Sequence, residues 1–126
     1  GCDQTAEYNN IQIQKPLNYK SAISQLIELS GQRVNFHSAI CLYQKKTDIL
    51  EKKVISFDVK YKKITLSQIE NYLEKEKPFD CVGSVKSEGL GITILEEINS
   101  SDPTAVIGLP LITLVNMLSK AGISIT

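Results

Sequence analysis

Hydrophobic and polar positions alternate along the chain with two different periods, and each change of period marks a new element. Residues 11–14 (I-Q-I-Q) alternate every second position, which predicts a short strand. Between residues 19 and 29 the apolar positions recur every three or four residues, which predicts a helix. Asn18 suits its N-cap and Gly31 its C-terminal stop. Residues 1–4 read as the end of a further strand.

The middle of the chain predicts a hairpin followed by a helix. Residues 34–43 are rich in β-branched and aromatic side chains, and residues 54–61 alternate between polar and apolar. A polar turn at residues 45–48 separates them, so the pair is most simply an antiparallel hairpin. Thr65 to Gln68 has the form of a capping box, which begins a helix that runs to about residue 75.

The last third predicts a glycine-rich loop, a strand over residues 91–98 and a final helix. A turn cluster follows the strand, Pro110 suits the first turn of the helix, and Gly122 suits its stop. The order is therefore strand, helix, hairpin, helix, strand, helix. This order predicts an α/β fold with a mixed sheet, without the regular alternation of a parallel one.

Composition narrows the classes of partner. The 126 residues carry 14 basic and 14 acidic side chains, so the absence of a basic excess argues against a nucleic-acid groove or an anionic membrane surface. No apolar run reaches the roughly 20 residues of a membrane span. Cys2, Cys41 and Cys81 are odd in number and widely spaced, which fits neither a disulfide framework nor a zinc site. We expect a cytoplasmic protein.

The segment 81–94 carries the most suggestive chemistry. It contains three glycines, which allow the backbone to approach a ligand closely, and it contains Lys86 and Glu88. Opposite charges two residues apart can address different parts of one ligand, such as a phosphate with a polar base attached. A glycine-rich turn with a surface Lys-Glu pair is the alternative explanation.

Several dispersed motifs resemble one family in the right order. Residues 81–97 and 102–111 are similar to the C-terminal half of the Maf family of nucleotide pyrophosphatases. Residues 1–4 (G-C-D-Q) match its G-x-D-[TQ] element, Lys15-Pro16 its K-P, and residues 30–31 its S-G. The resemblance implies a Maf / inosine-triphosphatase-like architecture.

One motif of the family is missing from this sequence. Residues 1–126 would form the C-terminal two-thirds of a single Maf-like domain, because the S-x-S-P-R-R motif with which members begin is absent here. The only methionine is Met117, which favours a fragment, although an unusual truncated member stays open. We therefore expect the chain alone to be poorly active.

Catalytic roles come from the resemblance. The family's catalytic aspartate corresponds to Asp3, a general base or metal-linked base for water attacking the α-phosphorus, with Mg²⁺ or Mn²⁺ as the cation. From the residues alone, an ordinary turn aspartate is the favoured interpretation of Asp3. Lys15 and Lys86 would approach the triphosphate, where fixed ammonium groups stabilise developing charge. Gln14 stands where the family usually has glycine.

Substrate choice is implied by Gln4 and Glu88. The pair resembles the subgroup that prefers 7-methyl-GTP, whereas relatives acting on dTTP or UTP usually have Gln in place of Glu88. A carboxylate can accept from N1–H and N2–H of a cationic N7-methylguanine. The implied reaction yields a nucleoside monophosphate and pyrophosphate. Its implied role is house-cleaning, which means hydrolysing a modified nucleotide before a polymerase uses it. The alternative is a non-catalytic nucleotide-binding or cell-division regulatory module. The physiological nucleotide, the preferred metal and a homodimeric state stay open.

Overall fold

The computed structural model describes all 126 residues and contains one antiparallel sheet and three helices, so the predicted α/β class is confirmed. The strands are β1 (Cys2–Tyr8), β2 (Ile11–Ile13), β3 (Arg33–Gln44), β4 (Ile49–Tyr61) and β5 (Leu95–Asn99). The helices are α1 (Tyr19–Leu29), α2 (Leu66–Glu76) and α3 (Leu111–Lys120). The spatial order of the strands is β2-β1-β3-β4-β5.

One face of this sheet carries the hydrophobic core. Alternate residues of β3 and β4 are buried, and the directly paired Phe36 and Phe57 stack with ring centroids 5.2 Å apart. Such a pair contributes about 0.5–1.5 kcal/mol beyond its area burial. Leu26 of α1 and Leu73 of α2 are fully buried in the same core. The sheet and these two helices therefore form the layers that hold the loops described below.

The predicted ends of α1 and the predicted start of α2 are confirmed. The Asn18 side chain accepts a hydrogen bond from the Ser21 backbone N–H at 2.9 Å. Thr65 and Gln68 form both halves of the capping box. Gly31 has φ +73°, a conformation that disfavours residues with a Cβ. None of the helices combines the length and hydrophobicity that a membrane span needs.

The first hairpin was not predicted. β1 continues to Tyr8, beyond the four residues assigned to it from the sequence, and pairs with β2 through a two-residue turn. Asn9 and Asn10 adopt φ 52° and 61° in this turn. Asparagine tolerates left-handed backbone better than most residues, and such turns match the twist of the flanking strands. β4 likewise begins at Ile49, five residues before the predicted start at residue 54.

The predicted strand over residues 91–98 was wrong in its first half. Leu90–Ile94 forms a 3₁₀ turn, and β5 begins only at Leu95. The reason is the loop that precedes it, because the Gly91 N–H donates back to the Lys86 carbonyl and curls the chain. Pro110 is the N-cap of α3 and so lies just outside the first turn.

Candidate functional site

The five residues singled out in the sequence line one cavity of about 210 Å³. β1 supplies two of them, the segment after β2 supplies one, and the glycine-rich loop supplies two. The structure thus brings together positions up to 85 apart in sequence, while their chemical roles stay predictions. These residues are Asp3, Gln4, Lys15, Lys86 and Glu88.

The cavity has an apolar floor and a polar rim. Phe36, Phe57 and Leu95 line the floor, and all three are buried. Small-molecule pockets commonly measure about 300–1,000 Å³. At about 210 Å³ this cavity would hold a base or part of a nucleotide, and the remainder of a triphosphate would extend out of its mouth.

Asp3 stands exposed on β1 with half of its carboxylate engaged. Its Oδ1 accepts the Gln4 backbone N–H at 2.8 Å, and its second oxygen has no hydrogen-bond partner in the chain. The next side chain is held more firmly, because the Gln4 Nε2 donates to Ser38 Oγ at 2.8 Å and to the Ala105 carbonyl at 2.9 Å. One acid oxygen and one amide oxygen are therefore free to meet a ligand.

The glycine-rich loop owes its path to glycine at position 91. The Lys86 carbonyl accepts hydrogen bonds from the backbone N–H groups of Gly89 at 3.1 Å and Gly91 at 3.0 Å. A Cβ added at Gly91 would lie 2.3 Å from that same carbonyl oxygen. No side chain fits in that space. The turn therefore requires glycine, and it sets the direction from which Lys86 and Glu88 reach the cavity.

Glu76 holds this loop from beneath and was missed in the sequence. Its carboxylate lies 3.4 Å from Lys86 Nζ and accepts the Leu90 backbone N–H at 2.6 Å. A Cβ at Gly89 would approach this carboxylate to 2.5 Å. The sequence contained one indication of this role, which is the position of Glu76 in α2. Glu76 lies seven residues after the buried Ile69 and therefore on the same, core-facing side of the helix. A charged residue on a core-facing stripe needs a partner.

Two buried tyrosines fix the start of the loop. Tyr61 Oη donates to the Gly83 carbonyl at 2.8 Å, and Tyr72 Oη donates to the Ser84 carbonyl at 3.1 Å. The Tyr72 oxygen also accepts the Lys86 backbone N–H at 3.3 Å. Burial raises the pKa of both phenols far above its ordinary value, so both remain protonated donors.

Gln25 of α1 joins the two lysine-bearing segments. Its Nε2 donates to the Gln14 carbonyl at 2.9 Å, and its Oε1 accepts from the Ser84 hydroxyl. The segment around Lys15 is therefore tied to the start of the glycine-rich loop through one amide. The signal in the sequence was again a polar residue beside the buried positions of a helix.

Cys81 lines the cavity as a protonated thiol. Burial, together with the neighbouring Asp80 carboxylate, raises its pKa to about 11. Because the thiolate is the reactive form, this side chain is a poor nucleophile at neutral pH.

The only histidine of the chain, His37, and the β4 residue Asp58 lie outside this cavity. His37 contacts Ser56 Oγ at 2.7 Å through Nδ1, and Asp58 pairs with Arg33, but none of these four residues lines the cavity.

A larger cavity of about 360 Å³ lies beside α2 and has a different character. Lys62, Lys63 and Lys75 surround it, and no acidic side chain lines it. It therefore lacks a general base for hydrolysis, and none of the five predicted site residues reaches it. Chemistry favours the smaller cavity, where acids and lysines meet.

Comparison with known proteins adds an independent line of evidence. The model of a family described as Maf-like protein matches residues 1–121. A 7-methyl-GTP pyrophosphatase of Methylobacillus flagellatus is 45% identical over 125 residues, which cover 99% of this chain and 65% of the relative.

Two further relatives carry the same name. That of Nitrosospira multiformis is 45% identical over 99% of this chain and 63% of its own length. That of Burkholderia orbicola is 45% identical over 96% of this chain and 58% of its own length. The chain thus spans 58–65% of the length of these relatives.

Proposed function

The chain belongs to the Maf-like family, and on this premise we propose that its protein is a nucleoside triphosphate pyrophosphatase acting on 7-methyl-GTP. The products would be 7-methyl-GMP and pyrophosphate. The observation that carries the proposal is the convergence of three acids (Asp3, Asp80 and Glu88), two lysines and an oriented amide on one cavity. The 45% identical relatives that bear this activity in their names support the choice of substrate.

Asp3 is the proposed general base. It is exposed, and its second carboxylate oxygen is free to accept a proton from the water that attacks the α-phosphorus. Lys15 and Lys86 would stabilise the charge that builds on the phosphate oxygens as the bond to the leaving pyrophosphate breaks. The Glu76 contact keeps the Lys86 ammonium beside the loop, so little reorganisation is needed when phosphate binds.

The acid groups of the site suit a divalent cation that arrives with its substrate. No group of three or more His, Cys, Asp and Glu side chains is arranged so that it could hold a metal ion by itself. Mg²⁺ is commonly bound by one or two carboxylates together with substrate phosphates. Asp3 would be the protein ligand, and the cation, Mg²⁺ or Mn²⁺, would supply charge neutralisation for the triphosphate.

Base selection is assigned to Glu88 and Gln4. N7-methylguanine is cationic and presents N–H donors, so a carboxylate offers it both acceptors and an opposite charge. A uracil or thymine edge mixes donors and acceptors and gains less from a carboxylate. Action on a free nucleotide also agrees with a cytoplasmic location and with a balanced net charge.

The test is pyrophosphate release from 7-methyl-GTP in Mg²⁺ or Mn²⁺. It compares the chain with an N-terminally extended version that carries the S-x-S-P-R-R segment of a family member. We expect turnover by the extended version and little by the chain alone. Equal, robust turnover by both would show that the added segment is unnecessary. Nucleotide binding without turnover by either would favour the non-catalytic module.

A further inference from the structure

We propose that Ser38 and the Ala105 carbonyl lock Gln4 as a hydrogen-bond acceptor toward the cavity, and that Gln4 Oε1 receives an N–H of the guanine 2-amino group. Ser38 is then a positioning residue for the base-selecting amide of Gln4. The identity of the donor rests on the proposed function, whereas the orientation of the amide rests on the contacts alone.

Two anchors, the Ser38 hydroxyl and the Ala105 carbonyl, determine which way the Gln4 amide points. A backbone carbonyl can only accept, so the atom 2.9 Å from the Ala105 oxygen must be the amide nitrogen. Its second N–H is directed to Ser38 Oγ at 2.8 Å. Rotating the amide by 180° would set its oxygen against the Ala105 oxygen. Both N–H groups are therefore occupied, and only Oε1 is left for a ligand.

That oxygen is accessible. Every buried side-chain nitrogen and oxygen of the chain has a hydrogen-bond partner. Gln4 Oε1 has no partner in the chain, so this oxygen must be exposed to solvent. Gln4 itself is half-buried and lines the cavity that also contains Glu88. The amide oxygen is thus a fixed acceptor that a ligand can reach.

Both anchors are rigid. Ser38 and Ala105 have no exposed surface, and Ser38 lies directly opposite Gln4 in the pairing of β1 with β3. The Ala105 backbone N–H donates to the Asp102 carbonyl at 2.9 Å, which fixes the turn that presents the Ala105 oxygen. A buried serine on the apolar face of a strand needs polar partners, and Ser38 has two: its oxygen accepts from Gln4, and its hydroxyl donates to the Ala105 carbonyl at 3.4 Å.

A fixed acceptor beside a carboxylate selects for adjacent donors. The Glu88 carboxylate can take N1–H and one hydrogen of the 2-amino group, and the second amino hydrogen is left for Gln4. Hypoxanthine lacks the 2-amino group, and uracil presents a single N–H between two carbonyls. Either base would leave the Gln4 oxygen unpaired, which costs affinity.

The first experiment uses no nucleotide. In the labelled chain, the side-chain NH₂ signals of Gln4 are identified by their loss in Gln4→Thr. We expect nuclear Overhauser contacts from these protons to protons of Ser38 and Ala105. Their absence in a folded wild-type chain would overturn the locked orientation.

The second experiment measures kcat/KM of the extended version for 7-methyl-GTP and for 7-methylinosine triphosphate, which lacks the 2-amino group. Ser38→Ala should lower the preference for 7-methyl-GTP by about three- to tenfold, chiefly through KM, because the amide then keeps only the Ala105 contact and its oxygen is held less firmly toward the ligand. Gln4→Glu should lower it too, since a carboxylate cannot donate to Ala105. The matched control is Ser56→Ala, on the neighbouring strand outside the cavity, which should leave the preference unchanged.

The outcomes separate the two proposals. An unchanged preference in both Ser38→Ala and Gln4→Glu, with active wild type, would overturn this inference and leave the proposed function standing. If the wild-type extended version hydrolyses neither nucleotide, the proposed function and the donor assignment are both overturned. The nuclear Overhauser contacts of the Gln4 amide would still test its orientation independently.

Discussion

The Glu76 carboxylate lies 3.4 Å from the Lys86 ammonium and accepts the Leu90 backbone N–H at 2.6 Å. One side chain of α2 therefore positions the cation of the glycine-rich loop and also closes the turn that follows it. Glu76 is only 11% exposed, whereas Lys86 is 43% exposed, so the acid is the buried partner and the lysine reaches outward. This arrangement leaves Lys86 at the rim of the cavity.

Replacing Glu76 should loosen this loop. Glu76→Ala removes the carboxylate that accepts the Leu90 backbone N–H, and losing this hydrogen bond should lower the free energy of unfolding by about 0.5–1.5 kcal/mol. Glu76→Gln keeps an acceptor for Leu90 and should cost less. Urea unfolding measures both, with Glu74→Ala on the exposed side of α2 as the control. Equal stabilities for Glu76→Ala and the control would contradict the assigned role.

Position 91 should tolerate no side chain. In Gly91→Ala the new Cβ would meet the Lys86 carbonyl at 2.3 Å, so the loop must shift. Overpacking of this kind costs about 1–3 kcal/mol. Gly1→Ala is the control, because a Cβ there meets nothing within 4 Å. Thermal or urea unfolding decides the matter, and a Gly91→Ala variant as stable as wild type would show that the turn is not as described.

Asp102 should make stability depend on pH in the acid range. Burial acts to raise its pKa, but hydrogen bonds from Thr104 and Thr113 outweigh it, and the net pKa lies below the ordinary value of 3.8. Its stabilising contribution is therefore complete above pH 3.8 and is lost as the pH falls through the lower folded value.

The matching variant is Asp102→Asn, which should reduce the unfolding free energy at pH 6 by about 1–3 kcal/mol. The difference from wild type should narrow at pH 3 and below. Urea unfolding at several pH values measures it, with Glu96→Gln as an exposed control. A difference that stays constant down to pH 2 would be inconsistent with a depressed pKa for Asp102.

Much of this fold was readable from local patterns. Helix α1 agrees with its prediction at both ends, because Asn18 and Gly31 act through local backbone geometry that the sequence displays. The turn at Gly91 was not readable, since a periodic apolar run favours a strand and only the bond to Lys86 curls it. Local propensity cannot reveal a backbone contact of that kind.

The site was predictable only in part. Asp3 and Glu88 were found through motifs, and the structure brings them to one cavity. Glu76 and Gln25 were missed because they carry no motif, and their partners are distant in sequence. The sequence shows each of them only as a polar residue on a buried helix face. Its role can be recognised only when the loop that faces the helix is known.

Asp3 should be required for turnover. In the extended version, Asp3→Asn keeps size and shape but cannot accept a proton, so kcat should fall by about 10²–10⁴-fold. Nucleotide binding should remain measurable, because the lysines and Glu88 are untouched. Single-turnover hydrolysis together with equilibrium binding separates the two effects. A variant with most of the parent rate would remove Asp3 from the mechanism.

The central claim is that this cavity binds and hydrolyses a nucleotide whose cationic base is read by Glu88. The most direct test is kcat/KM for 7-methyl-GTP, dTTP and UTP, measured on the extended wild type and on Glu88→Gln. Losing a charge-assisted hydrogen bond costs about 1.5–3 kcal/mol, so the preference for 7-methyl-GTP should fall by roughly ten- to a hundredfold. Gln4→Thr should shift the preference in the same direction. An unchanged ratio in Glu88→Gln would contradict the claim that Glu88 reads the base.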